Sequence, residues 1–212
     1  MASFKKSELS PDRKYRYTLW RDCADLEMFE GCNDGERGRD SFVQFIGLNP
    51  STADETLDDP TIRRCIGFAK AWGYGALCMT NLFAFRATNP DEMKAFKFPI
   101  GEAYYNDLHL YQTAQEAALI ICAWGKGGNF LERGKFVVAR LKEIAENKLH
   151  HLGLNGDGTP RHPLYLPKSY KPILWEHACG KSAAKSAEPG GTNTSNEPLV
   201  RSHAKKWGLD HK

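Results

Sequence analysis

The chain has 212 residues, of which 41% are hydrophobic and 26% charged, and its formal net charge is +3. This size and composition are typical of one compact globular domain with a tail, and they exclude two full domains. No apolar run approaches the roughly 20 residues that span a bilayer, and Met1 to Asp12 lacks the apolar core of a signal peptide. We therefore expect a cytoplasmic protein with no membrane partner.

The six cysteines include no Cys-x-x-Cys pair; they are Cys23, Cys32, Cys65, Cys78, Cys122 and Cys179. This spacing argues against a zinc ribbon and gives little support to an iron–sulfur cluster. In the cytosol we expect these thiols to be reduced. We predict no metal site and no cofactor.

Hydrophobic patterning predicts strands that alternate with helices. Tyr15 to Arg21 alternates apolar with polar side chains, which predicts an edge strand. Continuous apolar runs predict four buried strands at 42–48, 76–80, 119–124 and 149–154. Helical spacing of apolar residues predicts three helices, one after Asp59 and Pro60, one from about Tyr104 to Ala118, and one around 137–145.

Continuous apolar strands that alternate with amphipathic helices are typical of a parallel sheet covered on both faces. We therefore predict an α/β fold, a three-layer α/β/α sandwich with a central, mainly parallel four-stranded sheet. Residues 1–180 are assigned to this domain. From Lys181 onward the composition changes to Ser, Ala, Gly, Thr and Asn, which predicts a flexible polar tail over 181–212.

Polar residues follow the predicted strands. Ligands of open parallel sheets bind beyond the carboxyl ends of the strands. Asn49, Asn81 and Lys126 stand at three of these ends, and His162 comes after the fourth strand. Two amides, a histidine, cations and neighbouring aromatic side chains would therefore share one rim.

Each of these residues also has a structural interpretation. Asn49-Pro50-Ser51 is a common turn sequence, Asn81 could simply end a strand, and His162 could be a loop histidine. The acidic residues between them could be a solvated loop and a helix cap: Asp54, Asp58 and Asp59. The glycine-rich segment at 125–128 is not a Walker motif. The functional interpretation rests on the common position of these elements at one end of the sheet.

The same segments resemble known motifs. Residues 47–50 (Gly-Leu-Asn-Pro) resemble the first motif of the uracil-DNA glycosylase superfamily, closest to its mismatch-specific branch. Residues 80–86 are similar to the element that places a base-reading asparagine, and residues 162–164 (His-Pro-Leu) resemble the second catalytic motif. A wider pattern also resembles a domain family of bacteria and phages that has no assigned function. It consists of residues 48–54 (Leu-Asn-Pro-Ser-Thr-Ala-Asp), 59–61, 81–84 and 162–165, and the resemblance covers roughly 15–175.

The resemblance implies a DNA glycosylase that flips out a base and hydrolyses its bond to the sugar. In this interpretation Asn49 orients the attacking water, His162 donates a hydrogen bond to the departing base, and Asp54 assists catalysis. The base pocket would comprise Leu48, Asn81, Phe83 and Phe85. DNA would be held by phosphate-binding cations and apolar wedge residues: Arg63, Arg64, Arg86, Lys126, Arg161, Leu164 and Tyr165.

Departures from the glycosylase motifs predict an unusual substrate. The first motif carries no acidic residue, Ser51 stands where glycine is usual, and Leu164 stands where serine is usual. The pocket is therefore expected to accept a base other than uracil. A hydroxymethylated or glucosylated cytosine of phage DNA is a candidate, and its excision would make the protein a phage-defence enzyme.

Two other functions fit the same residues. A nucleoside or nucleotide N-glycosidase would use the same pocket on free small molecules, without a wedge or a grip on DNA. A catalytically silent module would bind modified DNA and release no base. Two tests separate the three functions: a comparison of a free nucleoside with an oligonucleotide as substrate, and an assay for released base.

Overall fold

The computed structural model describes residues 5–23, 41–51, 57–102 and 104–175. Within these ranges seven strands are present: β1 (Lys5–Leu9), β2 (Arg16–Asp22), β3 (Phe42–Gly47), β4 (Ala76–Asn81), β5 (Leu119–Cys122), β6 (Leu149–His151) and β7 (Ile173–Leu174). The α helices there are α1 (Pro60–Ala71), α2 (Pro90–Ala95), α3 (Tyr105–Glu116) and α4 (Arg133–Ala145). Asp54 and the predicted tail, 181–212, lie outside the described residues. None of the described helices combines the length and apolarity needed to cross a bilayer.

The structure confirms a mixed α/β fold but corrects the extent of the sheet. The strand order is β1-β2-β4-β3-β5-β6-β7. The four predicted core strands, β4, β3, β5 and β6, are adjacent and parallel. The prediction of a four-stranded sheet was wrong, because β1, β2 and β7 extend it in antiparallel pairs to seven strands.

Hydrophobic patterning predicted β2 but neither of the outer strands, β1 and β7. β2, predicted as an edge strand, lies between β1 and β4. Its partner β1 has the polar sequence Lys-Lys-Ser-Glu-Leu, which carries no apolar alternation. β7 has only two residues, and both are exposed. Pairing with a neighbour, rather than hydrophobicity, defines both outer strands.

Helices pack on both faces of the sheet. Val43 and Phe45 point to the face covered by α1, where they join Phe68 in one buried cluster. Ile46 points to the opposite face and joins Leu110 of α3 and Val137 of α4 in a second cluster, and neighbouring Leu141 belongs to it as well. Successive side chains of β3 thus point to opposite faces of the sheet, as expected for a strand that is buried on both sides.

Capping residues fix where the helices begin. The carboxylate of Asp59 accepts a hydrogen bond from the Ile62 amide at 2.8 Å, and Pro60 occupies the first helical position of α1. Asn89 and Pro90 start α2 in the same way. The sequence signal for α2 was therefore present and was missed, because the helix has only six residues and no apolar periodicity to accompany its cap.

Two glycines provide a matched test of packing. A Cβ at Gly128 would meet the Trp124 ring at 2.1 Å, whereas a Cβ at exposed Gly67 of α1 meets nothing within 4 Å. We expect Gly128→Ala to lower the free energy of unfolding by about 1–3 kcal/mol through overpacking. Gly67→Ala should raise it by roughly 0.5–1 kcal/mol, because alanine has the higher helix propensity.

Urea denaturation of both variants and the parent measures these changes. Equal stability of Gly128→Ala and the parent would show that Trp124 is not held tightly against this glycine.

Candidate functional site

A cavity of about 380 Å³ lies at the carboxyl ends of the parallel strands. Five residues predicted for the site line it: Leu48, Asn49, Asn81, Lys126 and His162. They come from four separate segments of the chain, the ends of β3, β4 and β5 and the loop beyond β6. The parallel topology therefore brings together residues that are more than 100 positions apart.

The Asn49 side chain is held with its oxygen available. Its Nδ2 donates hydrogen bonds to the carbonyl oxygens of Ala87, at 2.8 Å, and Pro50, at 3.1 Å. These bonds fix the orientation of the amide group, and its Oδ1 accepts none of the hydrogen bonds found among the described residues. A fixed carbonyl oxygen in a cavity is a suitable acceptor for a water molecule.

Asn81 presents its amide where β4 ends. Its main chain is anchored from α3, because Asn106 Nδ2 donates to the Asn81 carbonyl at 3.0 Å. Gly47 pairs with Asn81 across β3 and β4, and a Cβ at Gly47 would lie 2.8 Å from Asn81 Oδ1. Asn81 Nδ2 is buried and lacks a hydrogen-bond partner among the described residues. The cavity therefore contains a buried donor that a ligand can satisfy.

His162 is oriented as a neutral donor. Its Nδ1 accepts a hydrogen bond from the Leu164 amide at 3.3 Å, which leaves the proton of the neutral ring on Nε2. Burial lowers the pKa of His162, and the negative charge of Asp59 opposes this only in part. The ring is therefore neutral at pH 7 and can donate from Nε2.

Two residues predicted for the base pocket lie elsewhere. Phe83 is fully buried in the core beside Phe130, and Phe85 stacks on Phe96 with ring centroids 3.9 Å apart. Neither lines the cavity. Within the described part of the chain, Trp124 and the His162 ring are the aromatic groups of its lining.

Most of the predicted DNA-binding residues also lie outside the cavity lining. Lys126 belongs to it and is exposed. The guanidinium groups of the four predicted arginines instead donate to backbone carbonyls: Arg63 to Asp58, Arg64 to Leu164, Arg86 to Arg13 and Arg161 to Leu154. Of the two wedge residues, Leu164 is half-buried, and Tyr165 is 83% exposed with its ring 6.1 Å from that of His162. Tyr165 is therefore free to contact a partner beside the cavity.

Arg16 is a lining residue that sequence reasoning missed. It is only 4% exposed, and its Nε has no hydrogen-bond partner among the described residues. Burial lowers the pKa of Arg16 to about 10, with a further contribution from the charge of Arg86 and opposition from Asp59. The guanidinium therefore keeps its charge at neutral pH. Because β2 is antiparallel to β4, its first residue, rather than its last, lies at the edge of the sheet that carries the cavity.

Acidic residues near the cavity are engaged in structural bonds. Asp58 pairs with Arg21 at 2.6 Å. Asp59 lines the cavity, caps α1 with Oδ1, and accepts from the Ser51 hydroxyl at 3.0 Å with Oδ2. Across the described ranges, no group of three or more His, Cys, Asp or Glu side chains could hold a metal ion.

The contact between Gly47 and Asn81 predicts the effect of one methyl group. In Gly47→Ala the new Cβ would force the Asn81 amide to move, because 2.8 Å is too short for a carbon–oxygen contact. We expect a shift of the Asn81 side-chain amide signals in nuclear magnetic resonance spectra and a loss of about 1 kcal/mol in the free energy of unfolding. Gly67→Ala is the control that should leave those signals unchanged. Unshifted Asn81 signals in Gly47→Ala would contradict the close approach.

Comparison with known proteins defines the family of the chain. No curated protein and no solved structure matches it. A family model described as "Protein of unknown function (DUF1643)" matches residues 16–164. This range is more than half of the chain, and it begins at Arg16 and includes Asn49, Asn81 and His162. The chain therefore belongs to the DUF1643 family.

Proposed function

We propose that the protein is a DNA glycosylase that binds a flipped-out base in this cavity and hydrolyses its bond to the sugar. The supporting observation is the arrangement of Asn49 and His162, a fixed carbonyl oxygen and a neutral ring donor that face one cavity. Asn81 adds an unpaired amide donor that can read the edge of a base. The position of the cavity at the carboxyl ends of parallel strands is also compatible with the glycosylase-like fold that the motif resemblance implies.

The proposed reaction needs a positioned water molecule and a stabilised leaving group. Water bound to Asn49 Oδ1 forms the new bond to the sugar carbon C1′, while the glycosidic bond breaks and its electron pair departs with the base. The sugar carries oxocarbenium character in the transition state. A hydrogen bond from His162 Nε2 stabilises the negative charge that develops on the base. The water proton is released to solvent or to the departing base.

We favour DNA over a free nucleoside as the substrate because of the residues on the surface beside His162. Exposed Tyr165 can enter the gap that a flipped base leaves in the stack, and half-buried Leu164 adjoins it. Exposed Lys126 can contact a phosphate. The departures at Ser51 and Leu164 support a modified base rather than uracil. A hydroxymethylated or glucosylated cytosine of phage DNA is the candidate, with defence against phages as the role.

A second candidate is an N-glycosidase of free nucleosides or nucleotides. The observation that favours it is the placement of Arg63, Arg64, Arg86 and Arg161, which lie outside the cavity lining and donate to carbonyl oxygens. An enzyme that acts on a small molecule needs the cavity but no grip on a duplex.

Base release is the decisive experiment. The protein is incubated with oligonucleotides that carry different modified bases, in excess EDTA, and abasic sites are then cleaved with alkali. A glycosylase yields free base and alkali-dependent strand breaks. Release from free nucleosides alone supports the second candidate, and binding without release indicates a silent DNA-binding module. Strand cleavage that appears only when magnesium replaces EDTA, without free base, would reject the glycosylase in favour of a nuclease.

Substituting Asn49 tests the water-orienting role. Asn49→Ala should lower the excision rate about 100-fold, because a misplaced nucleophile costs that much, while DNA affinity stays nearly unchanged. Single-turnover rates and binding titrations measure the two effects, with urea denaturation to correct for the lost bonds to Pro50 and Ala87. An unchanged rate would remove Asn49 from the mechanism.

The pH dependence of excision tests the neutral form of His162. Its pKa lies below the ordinary 6.5, so the rate should hold as pH falls from 8 to about 6.5 and decrease only at lower pH. Protonation of Nδ1 would break the bond from the Leu164 amide and displace the ring. His162→Ala should abolish this decrease at acidic pH and lower the excision rate about 100-fold. Its loss of DNA affinity should be smaller. A rate that rises on acidification would show that the charged ring is the active form.

A further inference from the structure

The buried part of the cavity contains donors that no described residue satisfies. Arg16 is 4% exposed and its Nε has no partner. Asn81 is 3% exposed and its Nδ2 has no partner. Buried polar groups in native proteins are almost always hydrogen-bonded, because an unpaired donor has lost its hydration without compensation. One ligand that accepts hydrogen bonds in this cavity can satisfy both donors.

The charges around these donors favour an anion. The first turn of α1 lines the cavity with Thr61 and Ile62, and the N-terminus of a 12-residue helix carries partial positive charge. Lys126 adds an exposed cation to the lining. Asp59 is the acidic residue of the described lining, and both of its oxygens already accept hydrogen bonds from Ile62 and Ser51. The negative charge of Asp59 offsets part of the positive charge of Arg16, although no hydrogen bond joins the two side chains.

We propose that Arg16, Asn81 and the first turn of α1 form an oxyanion subsite that binds a phosphate group of a nucleotide. A guanidinium matches phosphate geometry with two parallel hydrogen bonds. Each phosphate oxygen can accept more than one hydrogen bond, so the same group can also accept from the Asn81 amide and the helix end. The cavity, at about 380 Å³, leaves room for the nucleoside to which the phosphate is attached.

The subsite deepens the proposed function, since it names the group by which the nucleotide is held. It concerns binding and does not require that a base be released. The phosphate could belong to a polynucleotide chain or to a free nucleotide, and the chemistry that recognises it is the same.

Titration with inorganic phosphate tests the subsite in the full chain. Ionic strength is held constant with chloride, and binding is followed by the side-chain signals of Arg16 Nε and Asn81 Nδ2. We expect saturable shifts of both signals. Arg16→Gln should weaken binding at least tenfold, and Arg16→Lys should weaken it less. The control, Arg140→Gln, removes the same charge from an exposed position on α4 and should bind like the parent. Equal affinity of Arg16→Gln and the parent would overturn the proposal.

Stability without phosphate separates a binding role from a structural one. Arg16→Gln removes a buried charge that lacks a hydrogen-bonded partner, so its urea midpoint should equal or exceed that of the parent. A lower midpoint together with unchanged phosphate affinity would show that Arg16 only supports the fold. Asn81→Asp is the second variant, because it keeps the size of the side chain and places a negative charge in the subsite. It should abolish phosphate binding, and retained binding would overturn the proposal even where Arg16→Gln fails to fold.

Three further probes identify the source of the phosphate. A nucleoside, its 5′-monophosphate and the methyl ester of that monophosphate are compared in the parent and in Arg16→Gln. Arg16-dependent binding of the monophosphate alone indicates a free nucleotide, and similar binding of the ester indicates a polynucleotide chain. Binding that is independent of Arg16 for every probe contradicts the subsite. Phosphate binding without base release would reject the glycosylase alone, and base release without a phosphate effect would reject the subsite alone.

Discussion

The parallel pairing of β3 with β4 is the interaction on which the cavity depends. It sets Gly47 directly beside Asn81, where a Cβ would force the Asn81 amide to move. The pairing also brings the chain after β3 alongside the chain after β4, where Leu82 and Phe83 donate to the carbonyls of Gly47 and Leu48. A slip of one residue would exchange the faces of every side chain and remove Asn81 from the cavity.

The backbone around Asn81 is fixed from the helical layer, while its side chain is left free. Asn106 of α3 donates to the carbonyls of Asn81 and Leu82, and Arg133 of α4 donates to Leu82 and pairs with Asp107. These bonds tie two helices to the end of one strand. Rigid support under an unsatisfied side chain is the arrangement expected where binding needs preorganised donors.

The free donors carry a cost in stability that the rest of the domain offsets. A buried guanidinium without a hydrogen-bonded counter-ion loses hydration, as does the Asn81 amide. Extensive burial of apolar side chains on both faces of the sheet provides the compensating free energy. Local violations of the rule that buried donors are paired are expected at functional sites. The same cavity therefore carries both proposals, the excision of a base and the binding of a phosphate.

By itself, the sequence determined the four parallel strands, the helices α1, α3 and α4, and the set of Asn49, Asn81, Lys126 and His162 at one edge of the sheet. These follow from local periodicity, capping signals and the rule that parallel strands end together. Only the tertiary structure added Arg16 to the site and removed Phe83 and Phe85 from it. The direction of β2 and the packing of the two phenylalanine side chains depend on partners far away in the chain, which no local pattern specifies.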